Sequence, residues 1–172
     1  MKRKEVNRQW YSKGMGNEII IRAITAADIP AMVAITSEVF GCASMDRMAE
    51  QAVGPAAAPW QRIKGQVVAN EAASNPGGCF VAEMGGRIVG YVTTVINPLA
   101  GRGTIANLAV SAAAQGKGVG RKLIQRSLDH FRSQGLVQAR IDTLESNEVG
   151  KHLYPDMGFE EVVREIHYFM RL

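Results

Sequence analysis

The spacing of hydrophobic and polar positions changes several times along the chain, and each change marks an element. Residues 18–24 (EIIIRAI) form a β-branched run that predicts a strand. Thr25, followed three residues later by Asp28, has the form of a helix start, and Ile29, Met32, Val33 and Val39 then recur at near-helical spacing. Residues 40–59 keep no single period and predict a loop or broken helix of the kind that can form a lid. Helical spacing returns with Trp60, Ile63 and Val67 and stops at Asn75-Pro76-Gly77-Gly78.

Residues 79–84 (CFVAEM) and 87–96 (RIVGYVTTVI) are two β-rich runs joined by Gly85-Gly86, which predicts an antiparallel hairpin. A loop over 98–103 precedes a short apolar strand over 104–110 (TIANLAV). From Val119 a helix is expected, with Leu123, Ile124, Leu128 and Phe131 on one face and Arg121, Lys122, Gln125 and Arg126 on the other. Residues 138–144 (QARIDTL) read as a strand parallel to the one before the helix, giving a βαβ unit. A short helix over 147–157 and two more strands, over 159–163 and 166–172, complete the pattern.

Composition narrows the class without naming a function. A chain of 172 residues with 47% hydrophobic and 21% charged residues suits one folded domain. There is no apolar run of membrane-spanning length and no signal-peptide pattern at the N-terminus, so a cytoplasmic protein is expected. The two cysteines, Cys42 and Cys79, are expected to be free and reduced. Lys2, Arg3, Lys4, Arg8 and Lys13 against Glu5 account for the whole net charge of +4, so residues 1–17 read as a basic extension ahead of a balanced domain over 18–172. Nucleic-acid binding through that extension would fall steeply with salt and vanish on its deletion; it is not the expected role.

The most informative stretch is Gln115-Gly116-Lys117-Gly118-Val119-Gly120, three glycines at alternate positions where a strand gives way to a helix. Backbone N–H groups at a helix start converge on one point and carry the positive end of the helix dipole, which suits an anion. Without side chains at Gly116, Gly118 and Gly120 a phosphate can approach, and Lys117, Arg121 and Lys122 add positive charge. The phosphate loop G-x-x-x-x-G-K-[ST] is absent. A dinucleotide fingerprint requires G-x-G-x-x-G where this chain has G-x-G-x-G, although Asp142 stands about twenty residues further on.

Residues 115–120 are similar to the Q/R-x-x-G-x-G/A pyrophosphate loop of the GNAT-type N-acyltransferase superfamily. The preceding TIANLAV resembles that family's fourth strand, and residues 147–159 (NEVGKHLYPDMGF) resemble its N-x-x-x-x-x-L-Y-x-x-x-G-F segment. The resemblance covers nearly everything from Glu18 onward and is loose over 41–78. It implies an α/β (α+β) fold in a single domain: a mixed, mostly antiparallel sheet of about six to seven strands, helices on both faces, and splayed parallel central strands.

It further implies acetyl-CoA as the acyl donor, with no metal. The pantetheine would pair with the strand backbone at Leu108, Ala109 and Val110, the pyrophosphate would rest on Gln115, Gly116, Lys117, Gly118, Val119, Gly120 and Arg121, and Asn147 would hold CoA or the strand end. The family's chemistry carries over to Leu108 as a backbone donor to the oxyanion and to Tyr154 as general acid toward the departing sulfur. Many relatives have a Glu on the fourth strand as base. This chain has Ala106 and Asn107 there, which leaves Glu145, Asp142 or Glu148 as candidates, Glu145 first. Pro155 also departs from the charged residue common after the tyrosine. The expected acceptor is a small-molecule or peptide amine, contacted by residues 40–76 and the loop around Pro98, with Met45, Met48 and Trp60 as a candidate apolar wall. The expected partners include neither nucleic acid nor membrane, and a homodimer is an option. The missing strand Glu keeps a second reading open, a non-catalytic CoA-binding sensor or interaction module.

Overall fold

A computed structural model describes residues 18–42 and 44–172. The basic extension lies outside them. The first strand, β1 (Ile19–Ala23), leads through a turn at Thr25 into α1 (Ile29–Val39). Asp28 closes that turn: its carboxylate accepts from the Thr25 backbone N–H and hydroxyl and from both guanidinium nitrogens of Arg22 at 2.7 and 2.9 Å. The segment expected to be a loop or broken helix contains a helix, α2 (Met45–Val53), started by Ser44, whose side chain accepts from the Arg47 N–H. No single period was legible there because α2 buries no residue fully. Next comes α3 (Trp60–Ser74), whose first N–H bonds to the Glu50 carboxylate at 2.8 Å.

The hairpin forms as expected. β2 (Phe80–Met84) and β3 (Arg87–Asn97) are joined by Gly85 and Gly86, both at positive φ. β4 (Arg102–Val110) pairs antiparallel with β3, and α4 (Val119–Ser133) returns the chain to β5 (Gln138–Ile141), parallel to β4. A last helix, α5 (Glu148–Asp156), follows. Pro155 stands one residue before its end, where the lost N–H coincides with termination of the helix.

The sheet runs β1-β2-β3-β4-β5 and has five strands rather than six or seven. The two strands expected over 159–163 and 166–172 do not form. Their β-branched and aromatic residues favour a strand, but a strand exists only through pairing, and no backbone hydrogen bond ties residues 160–172 to another described residue. Val162, Ile166, Tyr168 and Met170 are accordingly exposed.

Two cores flank the sheet. On one face α1 and α3 pack Met32, Ile35, Val68 and Ala72 against Val81, Tyr91 and Ala109; on the other, α4 packs Val119, Leu123, Ile124 and Phe131 against Phe80, Val92 and Ile105. Ile105 and Ala109 thus face opposite sides although they lie four residues apart. The reason is a bulge: Thr93 pairs with Asn107 and Thr94 with Ile105, so Ala106 is an extra residue that flips the later part of β4.

Candidate active site

The site grows from what the bulge does to the β4–β5 pair. β4 pairs with β5 only from Arg102 to Ile105, matched to Gln138 to Ile141. From Ala106 onward β5 departs, and the β4 backbone at Leu108, Ala109 and Val110 has β3 on one side and no strand on the other. This opening is the splay expected from the sequence. β5 ends at Ile141, three residues short of the expected boundary, because pairing stops where the bulge turns β4 away.

Immediately beyond β4 lies the glycine turn. Gly116 and Gly118 are left-handed at φ 73° and 79°, and a Cβ at either would meet nothing within 4 Å. The backbone therefore requires these glycines and the space above them stays open. Gly120 plays another part, since a Cβ there would touch Leu153 at 3.6 Å, bringing α5 close to α4. Gly118 begins α4 without a side-chain cap, and the first N–H bonding back is that of Lys122, to the Gly118 carbonyl. The N–H groups of Val119, Gly120 and Arg121 thus have no partner among the described residues, at the positive end of the helix.

The side chains around the turn are partly engaged. Gln115 donates to the Val110 carbonyl at 3.1 Å and fixes the turn to the strand end, and Lys117 donates to the Ala113 carbonyl at 2.9 Å. Arg121 pairs with Asp156 at 3.2 Å on the rim of a shallow cleft of about 420 Å³, lined by Arg121, Lys122, Gln125, Asp156 and Met157. Arg126, on the same helix, instead lies over the Phe80 ring at 4.2 Å.

Tyr154 projects from α5 against Phe159 and the α4 core. Burial pushes its phenol above the ordinary value, with the Thr143 side chain opposing the shift, so the hydroxyl is protonated at neutral pH. Thr143 lies just past the end of β5, beside the opening. Asn147 caps α5: its oxygen accepts from the Gly150 N–H at 3.1 Å and its nitrogen donates to Thr143 at 2.8 Å.

The three carboxylates singled out as bases lie at the surface in ion pairs. Glu145 meets Arg164 at 2.9 Å, Asp142 meets Arg140 at 2.8 Å, and Glu148 meets Lys151 at 2.9 Å. A different carboxylate stands beside the bulge. Glu71 of α3 accepts from Thr93 at 2.6 Å and from Asn107 at 2.5 Å, both buried. The one cue in sequence was its place three residues after Val68 and next to Ala72, both core residues, so that a charge faces the sheet. Of the three residues expected to form an apolar wall, Trp60 is core, while Met45 and Met48 are exposed. Cys79 is free and buried, its thiol pushed up by that burial; the Cys42 side chain lies outside the described residues. Among the described residues no helix is long and apolar enough to cross a membrane.

Comparison with known proteins agrees with this geometry. The fold is shared with the PaiA N-acetyltransferase from Thermoplasma acidophilum, solved in complex with coenzyme A, at TM-score 0.67 and 18% identity over 83% of this chain and 90% of that one. It is also shared with yncA of Salmonella typhimurium, solved with its cofactor acetyl-CoA, at TM-score 0.63 and 20% identity over 83% and 79%. A mycothiol acetyltransferase of Thermomonospora curvata is 34% identical over 94 residues, which is 55% of this chain and 31% of that protein. The chain therefore spans about a third of the length of the curated relatives it matches. The family profile described as Acetyltransferase (GNAT) family matches residues 35–159, and the chain belongs to that family.

Proposed function

We propose that this protein is a cytoplasmic acetyl-CoA-dependent N-acetyltransferase, its catalytic domain spanning residues 18–172, acting on a small-molecule or peptide amine. One coincidence carries the reading: within a single βαβ unit, the unpaired stretch of β4 leads directly into the uncapped, glycine-lined start of α4. Such a pairing suits an elongated ligand with an extended amide-bearing arm and a diphosphate. Acetyl-CoA has both and supplies an acyl group activated as a thioester.

The free edge of β4 at Leu108, Ala109 and Val110 would hold the arm as an added strand does. The N–H groups following Gly118 would hold the diphosphate, with Gly116 and Gly118 leaving room and Lys117 and Arg121 balancing charge. The backbone N–H of Leu108 is the donor assigned to the thioester oxygen as charge develops, an effect of about 2.7–4 kcal/mol for one such donor. Tyr154, kept protonated by burial, is assigned the proton that the departing sulfur takes up. Asn147 holds the strand end rather than joining the chemistry.

The test is calorimetric titration with CoA followed by transfer assays with acetyl-CoA and a panel of amines. Binding with transfer is expected, and Tyr154→Phe should reduce kcat by about 10²-fold where chemistry limits the rate. Binding without thioester cleavage across the panel would favour the sensor reading instead. No CoA binding would end both.

A further inference from the structure

We infer that Glu71 is the carboxylate that takes up the proton of the acceptor amine, held in place by Asn107 and Thr93. This rests on the acetyltransferase reading above and supplies the base which β4 lacks. The family position that many relatives fill with a strand Glu carries Ala106 and Asn107 here. The bulge at Ala106 turns Asn107 toward the α3 face, and α3 brings a carboxylate to the amide at 2.5 Å. The carboxylate thus reaches the strand from a neighbouring helix.

A count of hydrogens shows how the group is held. Thr93 gives its one hydroxyl hydrogen to Glu71 Oε2. Asn107 gives one amide hydrogen to that same oxygen and the other to Thr93 Oγ1 at 3.2 Å. The Asn107 Oδ1 then has no partner among the described residues although it is buried. Turning the amide over would set Oδ1 against the carboxylate, so its orientation is dictated by Glu71. An orphaned buried acceptor costs about 1–3 kcal/mol, a sacrifice that positions the carboxylate rather than the amide. Glu71 Oε1 takes no hydrogen bond from any described residue, and the side chain is only half-buried, so that oxygen is left for a ligand. The carboxylate's partner Asn107 directly precedes Leu108, the assigned oxyanion donor.

The step balances with the groups named. The amine lone pair forms a bond to the thioester carbonyl carbon, which makes the nitrogen strongly acidic, and its proton passes to Glu71 Oε1. The carbon–sulfur bond breaks, sulfur keeps the electron pair, and Tyr154 supplies its proton. Exchange with solvent resets both side chains, leaving an amide and free thiol. The charged and titratable groups near Glu71 are Lys64 on its own helix, Tyr91 on β3 and Cys79 ahead of β2. Burial raises Tyr91 and Cys79 and keeps them neutral, and it lowers the Lys64 ammonium, which Glu71 and Asp46 oppose.

The test measures transfer from acetyl-CoA to tyramine, benzylamine, lysine and alanyl dipeptides across pH, with CoA affinity and Tm followed alongside. Glu71→Gln should lower kcat by about 10²–10⁴-fold and leave CoA affinity and Tm unchanged. Combining it with Asn107→Asp exchanges acid and amide across the same contact and should recover at least about tenfold in kcat. Wild-type turnover in Glu71→Gln would overturn the inference while the acetyltransferase reading stands. So would a loss shared by kcat, CoA affinity and Tm without recovery in the double variant, which marks a structural tie. Wild-type protein that acetylates no amine in the panel overturns the functional reading and this inference with it.

Discussion

Two helices begin beside the β4–β5 opening and treat their first turns in opposite ways. At α5, Asn147 accepts from the Gly150 N–H and Glu148 places a negative charge in the first turn. At α4, Gly118 has no side chain to offer, no acid stands in the first turn, and Lys117, Arg121 and Lys122 surround it. Orphan N–H groups at a helix start must find acceptors. α5 finds them within its own chain, and the free N–H groups of α4 face open space above two left-handed glycines. The contrast separates a helix end closed by its own side chains from one left open.

The comparison can be broken most forcefully at Gly118. Gly118→Asp would supply both the missing cap and a repelling charge while tolerating the left-handed backbone better than most residues. CoA affinity by calorimetry should fall on the order of 30-fold, about 2 kcal/mol, with far-UV circular dichroism unchanged. An unchanged affinity would mean that these N–H groups do not meet the ligand.

The reciprocal change, Asn147→Ala, should cost about 1 kcal/mol in urea denaturation, the usual worth of a cap. CoA affinity should not move, because both ends of the side chain are spent inside the protein. A drop in affinity with unchanged stability would reverse the contrast.

A third helix start, that of α1, gives the smallest effect. The Arg22 guanidinium, with Thr25 adding hydrogen bonds, holds the Asp28 carboxyl well below the usual carboxylate range. A depressed folded value means that the stabilisation is fully present above about pH 4 and is lost as pH falls through the folded value. Asp28→Asn should therefore cost somewhat under about 1 kcal/mol at neutral pH, given the partly exposed Arg22, and flatten the acid side of the stability profile below pH 4. Urea midpoints across pH 2 to 7 measure it; parallel profiles for variant and wild type would remove Asp28 from the account.

Local patterns carried much of the architecture. Gly85-Gly86 between two β-rich runs specified the hairpin, and the apolar face from Val119 to Phe131 specified α4, because both depend on interactions a few residues apart. Gly116 and Gly118 were equally legible, since a left-handed turn before a helix restricts the residue type on its own. The strands expected over 159–172 failed for the opposite reason: residue type supplies a propensity, but a strand needs a neighbour, and the sequence does not say whether the edge of β5 accepts one.

By itself the sequence determined where the chain turns, which helix start is free of side chains, and that the position of a familiar strand acid is occupied by Ala106 and Asn107. Only the tertiary structure decided what stands in for that acid. A single extra residue at Ala106 rotates Asn107 to the other face of the sheet, and there it meets Glu71, thirty-six positions earlier in the chain. Periodicity reports which way a side chain points from its own element; it carries no information about which side chain from another element meets it.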